Sequence, residues 1–192
     1  MCIGVTANKE KIADLLVYLS SRIESINLKK LLKLIYLIDE HSVKERGIPV
    51  SWLEYKAWHY GPVAPVVYNI KNNGGIFADD LHVFKNEMGK YVILPKRKTE
   101  LQQFSKKEMS IVDMVIAKYG DLTAEQLSEL THEPGGLWDS TVTRNKLSFE
   151  AGKDQSDIAI NLRDLLSGSS LDSYNEAEEC VRFQAELNKV MK

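Results

Sequence analysis

Residues 27–47 read NLKKLLKLIYLIDEHSVKERG, from Asn27 to Gly47. Leu28, Leu31, Leu32, Leu34, Ile35, Ile38 and Val43 recur at helical spacing and spread over more than one side of the turn. Asn27 is placed to cap the start, because its side-chain oxygen can accept an N–H of the first turn. Gly47 supplies a stop, and Pro49 follows two residues later. So wide an apolar arc must be covered from two sides, which places this helix at the centre of the expected fold.

Upstream, Asn8 can cap a first helix whose buried face is Ile12, Leu15, Leu16, Leu19 and Ile23. Downstream lies WLEYKAWHYGPVAPVVY, Trp52 to Tyr68, with five aromatics beside Gly61, Pro62 and Pro65. Residues 48–58 read either as a strand or as an irregular segment. Gly61 tolerates φ > 0 and Pro62 locks φ, so the Gly-Pro step predicts a corner. Pro62 then suits the first turn of a helix running to Lys71, ended by Asn73-Gly74-Gly75. Trp58, His59 and Tyr60 read equally as core packing or as a binding anchor, since interfaces enrich Trp and Tyr.

Leu81, Val83, Tyr91 and Ile93 alternate around Asn86–Gly89, which predicts a β-hairpin ended by Pro95. Ser105 with Glu108, and Thr123 with Gln126, fit two capping boxes. The first opens a helix through Ile111, Val112, Val115, Ile116 and Tyr119, with Gly120 at its C′ position. The second opens a short helix with Leu127 and Leu130, broken by Pro134-Gly135-Gly136 before Trp138. Residues 146–156 are polar and mark a boundary, dividing the chain into a domain of residues 1–146 and a C-terminal segment of residues 147–192 packed on it. In that segment Ile158, Leu162, Leu165 and Leu166 suggest one amphipathic helix, and Ser173–Glu176 opens a last one. The expected fold is mainly α: a compact helical domain, one small β-hairpin as its minor β component, and a C-terminal helical extension.

The chain has 192 residues and a formal net charge of -2, so it is not an electrostatic binder of nucleic acid as a whole. Cations dominate from Asp80 to Lys107 and carboxylates dominate after Leu147, an asymmetry able to steer a partner. Two cysteines, Cys2 and Cys180, make no disulfide framework and fit a reducing cytoplasm. No basic-then-apolar leader follows Met1, and no apolar run approaches the roughly 20 residues of a membrane span.

His41, His59, His82 and His132 show no metal-ligand spacing. Walker, dinucleotide and hydrolase-elbow glycine motifs are missing. These patterns imply no catalytic residue, metal or cofactor. Asp39-Glu40-His41 reads as a solvated helix end, because adjacent helical residues point in different directions. Lys29, Lys30 and Lys33 read as the wet edge of the central helix or as a rim around the aromatic corner. Residues 105–145 have the spacing of a helix-turn-helix, but the second helix carries Glu125 and Glu129 and no Lys or Arg.

Three of these stretches together resemble one known family. Lys30–Leu37, KLLKLIYL, resembles its KLQKLLYF-type helix, with Leu32 where Gln is common. Ala57–Tyr68, AWHYGPVAPVVY, resembles its AWxYGPVxPxVY signature. Leu127–His132 followed by Trp138 is similar to its LSxLTHxxxxW ending, lengthened by Pro134-Gly135-Gly136. The family is the Panacea antitoxin domain, found in SocA-like and GepA-like phage-associated proteins. The resemblance covers about residues 8–145. It implies an antitoxin of a bacterial or phage toxin–antitoxin pair. Its partner would be a protein toxin, expected from an adjacent gene, with a Clp-type protease as a second partner for members acting as adaptors. No catalytic residue, metal or cofactor comes with it. The signature positions that carry over as partner-binding candidates are Lys30, Lys33, Tyr36, Trp58, His59, Tyr60, Gly61, Pro62, Pro65, Tyr68 and Trp138. Leu31, Leu34, Val63, Leu127 and Leu130 share the signature, and apolar spacing assigns Leu31, Leu34, Val63 and Leu130 to the core. A scaffold serving many toxins should vary its surface, which points toxin-specific contacts to the hairpin or the acidic tail. A DNA-binding regulator built on residues 105–145 is the alternative reading.

Overall fold

The computed structural model describes residues 2–150 and 153–191. It is mainly helical, with small strands. Helix α1 runs Ile3–Arg22, α2 Leu28–Arg46, α3 Pro65–Tyr68, α4 Lys106–Tyr119, α5 Ala124–Thr131, α6 Leu137–Arg144 and α7 Gly168–Val190. Strands β1 (Tyr55–Trp58), β2 (Gly61–Val63) and β5 (Ala159–Ile160) form one antiparallel sheet in the order β2-β1-β5. Strands β3 (Leu81–Lys85) and β4 (Tyr91–Pro95) form the expected hairpin. None of the described helices is long and apolar enough to cross a membrane.

Helix α2 is the axis of the molecule. Asn27 accepts the N–H of Lys30 at 3.0 Å, and Gly47 closes the helix in the left-handed region at φ 78°. Every residue from Leu31 to Asp39 is buried, with α1, α4, α5, β2 and a 3-10 turn at Leu162–Leu165 packed around it. Each fully buried Leu or Ile contributes about 1.5–3 kcal/mol relative to exposure. Both capping boxes form at Ser105 and Thr123. Glu108, inside the first box, also accepts from Lys11 at 2.8 Å and lies 3.5 Å from Arg46, tying α1 and α2 to α4.

Several local expectations are corrected. The Gly61-Pro62 step begins strand β2 and does not open a helix. Trp58 pairs with Gly61, leaving His59-Tyr60 as a two-residue link between β1 and β2. Pro62 is tolerated because β2 is an edge strand, where a missing N–H breaks no ladder. The helix starts instead at Pro65, its N1 residue. Gly120 ends α4 in a right-handed conformation, φ -63°, and not as a left-handed C′ residue. Residues 158–166 form β5 and the 3-10 turn where one helix was expected, because Ala159 and Ile160 find strand partners in Lys56 and Tyr55. The minor β component is therefore two small sheets, not one hairpin. Leu130 is half-buried, whereas Leu31, Leu34, Val63 and Leu127 lie in the core.

Residues after 146 run along the sheet before reaching α7. Of the polar run 146–156, residues 151 and 152 lie outside the described set. Asp154 and Ile158 accept the backbone N–H groups of His59 and Ala57 at 2.8 and 2.9 Å. Helix α7 then lies along α1. Helix α1 is kinked at Asn8 (φ -155°, ψ 81°), whose side chain caps the continuing turn through the N–H of Lys11. The carbonyls of Thr6 and Ala7 beside the kink accept from the Asn188 amide of α7 at 3.1 and 2.8 Å.

Candidate partner-binding groove

The β1–β2 link sits over the N-terminal part of α2, and one α2 side chain supports it from below. Lys33 is only 1% exposed. Its ammonium donates to the Tyr60 carbonyl and, at 3.5 Å, to that of Pro62. Burial, with Lys29 adding, pushes its pKa down to about 7. The expectation of a wet helix edge therefore fails at Lys33. A lysine stem long enough to reach two carbonyls that the short edge strand leaves open is stable inside, because neutralisation removes most of the cost of burying the charge. Lys30 stays half-buried, its pKa lowered by burial and opposed by Asp121.

Behind the link, Trp138 of α6 donates its indole N–H to the Trp58 carbonyl at 2.9 Å and stacks on His132 at 3.9 Å between ring centres. Burial first, then the neighbouring cation of Lys33, push His132 down to about 4. Its Nε2 is buried without a hydrogen-bond partner among the described residues. His59 Nδ1 is likewise buried and lies 3.4 Å from an oxygen of Asp154 without hydrogen-bond geometry.

In front of the link an open groove of about 410 Å³ is bounded by the start of α2, the β1–β2 link, α3, the β3–β4 turn, the start of α5 and residues 154–155. Leu28, Leu32 and Val63 supply aliphatic lining, and Trp58, Tyr60, Tyr68 and Tyr91 supply aromatic walls. That volume lies within the range typical of ligand and anchor-residue sites.

The signature positions thus separate into four groups. Lys33, Trp58, Tyr60 and Tyr68 line the groove. Trp138, stacked on His132, braces the link from the other side, and His59, within the link, stacks on Tyr60. Gly61, Pro62 and Pro65 shape the backbone. Tyr36 is buried in the core, edge-on to Tyr55 at 5.3 Å, and Lys30 does not line the groove. Sequence reasoning missed Leu28, Leu32, Lys90, Tyr91, Glu125 and Asp154. These come from elements far apart in the chain; the sequence pointed to the hairpin and the acidic tail as regions, but not to Lys90, Tyr91 or Asp154 as residues.

Asp39 is the second correction. It is fully buried and not a solvated helix end. One oxygen accepts the N–H groups of Val50 and Ser51, both at 2.8 Å, and the other accepts the hydroxyls of Ser51 and of Tyr55 at 2.7 Å. Burial raises its pKa, and these four bonds oppose that rise. The network pins the segment leading into β1 to α2.

The profile of the family described as "Antitoxin SocA-like, Panacea domain" matches residues 31–139, more than half of the chain. This chain belongs to that family. A curated relative, Antitoxin SocA of Caulobacter vibrioides (strain NA1000 / CB15N), is 28% identical over 110 residues, covering 56% of this chain and 55% of the relative. The chain therefore matches about half the length of that relative. No solved structure matches. The matched span contains α2 from Leu31 onward, both hairpins, α4, α5 and the groove except for residues 27–29 and 154–155.

Proposed function

We propose that this protein is the antitoxin of a toxin–antitoxin pair and neutralises a protein toxin, encoded by an adjacent gene, by direct contact in the cytoplasm. Membership of the SocA-like family carries the reading. Aromatic side chains converging on an open groove support direct contact, because Trp and Tyr dominate the energetics of protein interfaces. The action proposed is binding, without catalysis, metal or cofactor. Delivery of the bound toxin to a Clp-type protease is the second half of the proposal. The DNA-binding alternative finds no support in α5, whose inner face packs on α2 and whose exposed residues include Glu125 and Glu129.

The test is co-expression with each open reading frame next to this gene. Growth arrest by one neighbour, relieved by this protein, supports the reading. A stable co-purified pair indicates occlusion, and rescue that disappears in a Clp-deficient host indicates delivery. If no neighbour is toxic, or none is neutralised, the proposal is overturned.

A further inference from the structure

The groove has three properties that together specify an occupant. First, its aromatic walls are held in place before anything binds. Trp58 packs edge-on against Tyr68 at 4.8 Å, and the Lys71 ammonium lies 3.8 Å over the opposing Tyr68 ring. Tyr60, although 55% exposed, is stacked on His59 at 4.7 Å and has Lys29 5.6 Å above its ring. Tyr91 carries Lys85 at 5.0 Å. Rings already pinned lose little side-chain entropy on binding, so more of the contact energy appears as affinity.

Second, the rim carries an exposed cation free of an ion pair. Glu125 faces Lys29 at 3.7 Å, Asp154 lies 3.4 Å from the His59 ring, and Lys33 is buried against the carbonyls of Tyr60 and Pro62, whereas Lys90 is exposed and forms no ion pair among the described residues. Third, the groove is partly open to solvent and about 410 Å³ in volume. That admits one or two side chains of a protruding segment, not a whole helix face.

We propose that this groove captures an extended peptide segment of a partner protein, seating an aromatic or large aliphatic side chain between Tyr60, Tyr68 and Tyr91 and placing an adjacent carboxylate at Lys90. If the antitoxin reading holds, that segment belongs to the toxin; the inference to that extent rests on it. The aromatic walls come mainly from the signature stretch, and Lys90, Tyr91 and Asp154 of the rim come from the hairpin and the segment after 146.

The probe is a phage-displayed library of random dodecapeptides, panned on the full-length protein, with selected peptides synthesised and titrated. The expected result is enrichment of an aromatic or large aliphatic residue next to Asp or Glu. Affinity should fall at least about tenfold in Tyr60→Ala and in Lys90→Glu, and stay unchanged in Phe183→Ala on α7. Tyr60, Lys90 and Phe183 are all exposed, and thermal melts of the three variants confirm that each is folded. No enrichment, or peptides that bind Tyr60→Ala and Lys90→Glu as well as the parent, overturns the proposal. Growth rescue separates it from the antitoxin reading. Peptide capture without toxin neutralisation defeats only the latter, whereas neutralisation undiminished in the Tyr60→Ala, Lys90→Glu double variant defeats the assignment of the groove to the toxin.

Discussion

The ammonium of Lys33 stands where a side chain on Gly61 would have to go. A Cβ built on Gly61 meets Lys33 Nζ first, then His132 Nε2 at 2.9 Å and Thr131 Oγ1 at 3.0 Å. Gly61 also sits at φ 104°, which side-chain-bearing residues avoid. One position thus joins α2, the β1–β2 link and the end of α5.

Gly61→Ala is therefore expected to cost more than about 2 kcal/mol, from backbone strain and from displacement of the buried lysine. Urea denaturation measures it. A change within 0.5 kcal/mol, of the order ordinary for surface sites, would show that the lysine and the link move apart freely.

Lys33 should give the protein an unusual alkaline stability profile. In the folded state it titrates near 7, while an unfolded lysine keeps its proton to about 10.5. Between these values the unfolded chain binds more protons, so unfolding free energy rises with pH, by at most roughly 1.4 kcal/mol per pH unit. Below about pH 7 both states are protonated and this contribution levels off at its least favourable. His132, pushed down to about 4 from 6.5, has the same sign between those values, so stability falls as pH drops through that window. Its total contribution is smaller because its window is narrower and the ring is only half-buried. Lys33→Met should flatten the alkaline limb, measured as the change in unfolding free energy between about pH 7 and about pH 9.5. An unchanged slope would assign that limb to other groups.

Asp39→Ala strips four donors of their common acceptor inside the protein. Each buried donor left unmatched costs about 1–3 kcal/mol, so a total loss of several kcal/mol, enough to unfold a marginal domain, is expected. The exposed Lys44, paired with Glu40 among the described residues, should cost under about 1 kcal/mol when replaced by Ala. Parallel melts of the two variants give the contrast, and equal melting temperatures would contradict the network.

The segment after 146 is predicted to be necessary for the fold of what precedes it. Ending the chain at residue 146 removes the carbonyls that accept the N–H groups of Ala57 and His59, and uncovers the α7-facing side of α1. Such a truncation should lose cooperative unfolding and become protease-sensitive. Asn188→Ala is the milder version. It leaves the Thr6 and Ala7 carbonyls at the kink without their donor, at a cost of about 1–2 kcal/mol. A cooperative, protease-resistant fragment would establish residues 1–146 as an independent domain.

Local rules made the caps legible. Asn27, Ser105 and Thr123 cap as their side chains require, Gly47 closes α2 because it lacks one, and the hairpin at Asn86–Gly89 follows from alternation and turn chemistry. The same rules misplaced the helix start by three residues, from Pro65 to Pro62. Either proline suits a helix N1 position, and only pairing with β1 assigns Pro62 to a strand. β5 was illegible because its two residues are extended only by virtue of the strand beside them. Lys33 and Asp39 were misread for one reason. A charged residue on a helix is ordinarily solvated, and what reverses that here are carbonyls and N–H groups arriving from residues 50–62.

By itself the sequence determined the mainly helical architecture, the central position of α2 and the family, because periodicity, caps and signature are properties of contiguous residues. Tertiary structure alone decided which signature residues face solvent. Tyr36 went to the core, Lys33 to a buried seat beneath Tyr60, and Trp58, Tyr60 and Tyr68 to a groove completed by Lys90, Tyr91 and Asp154. Burial depends on what packs against a side chain, and here those partners stand far away along the chain.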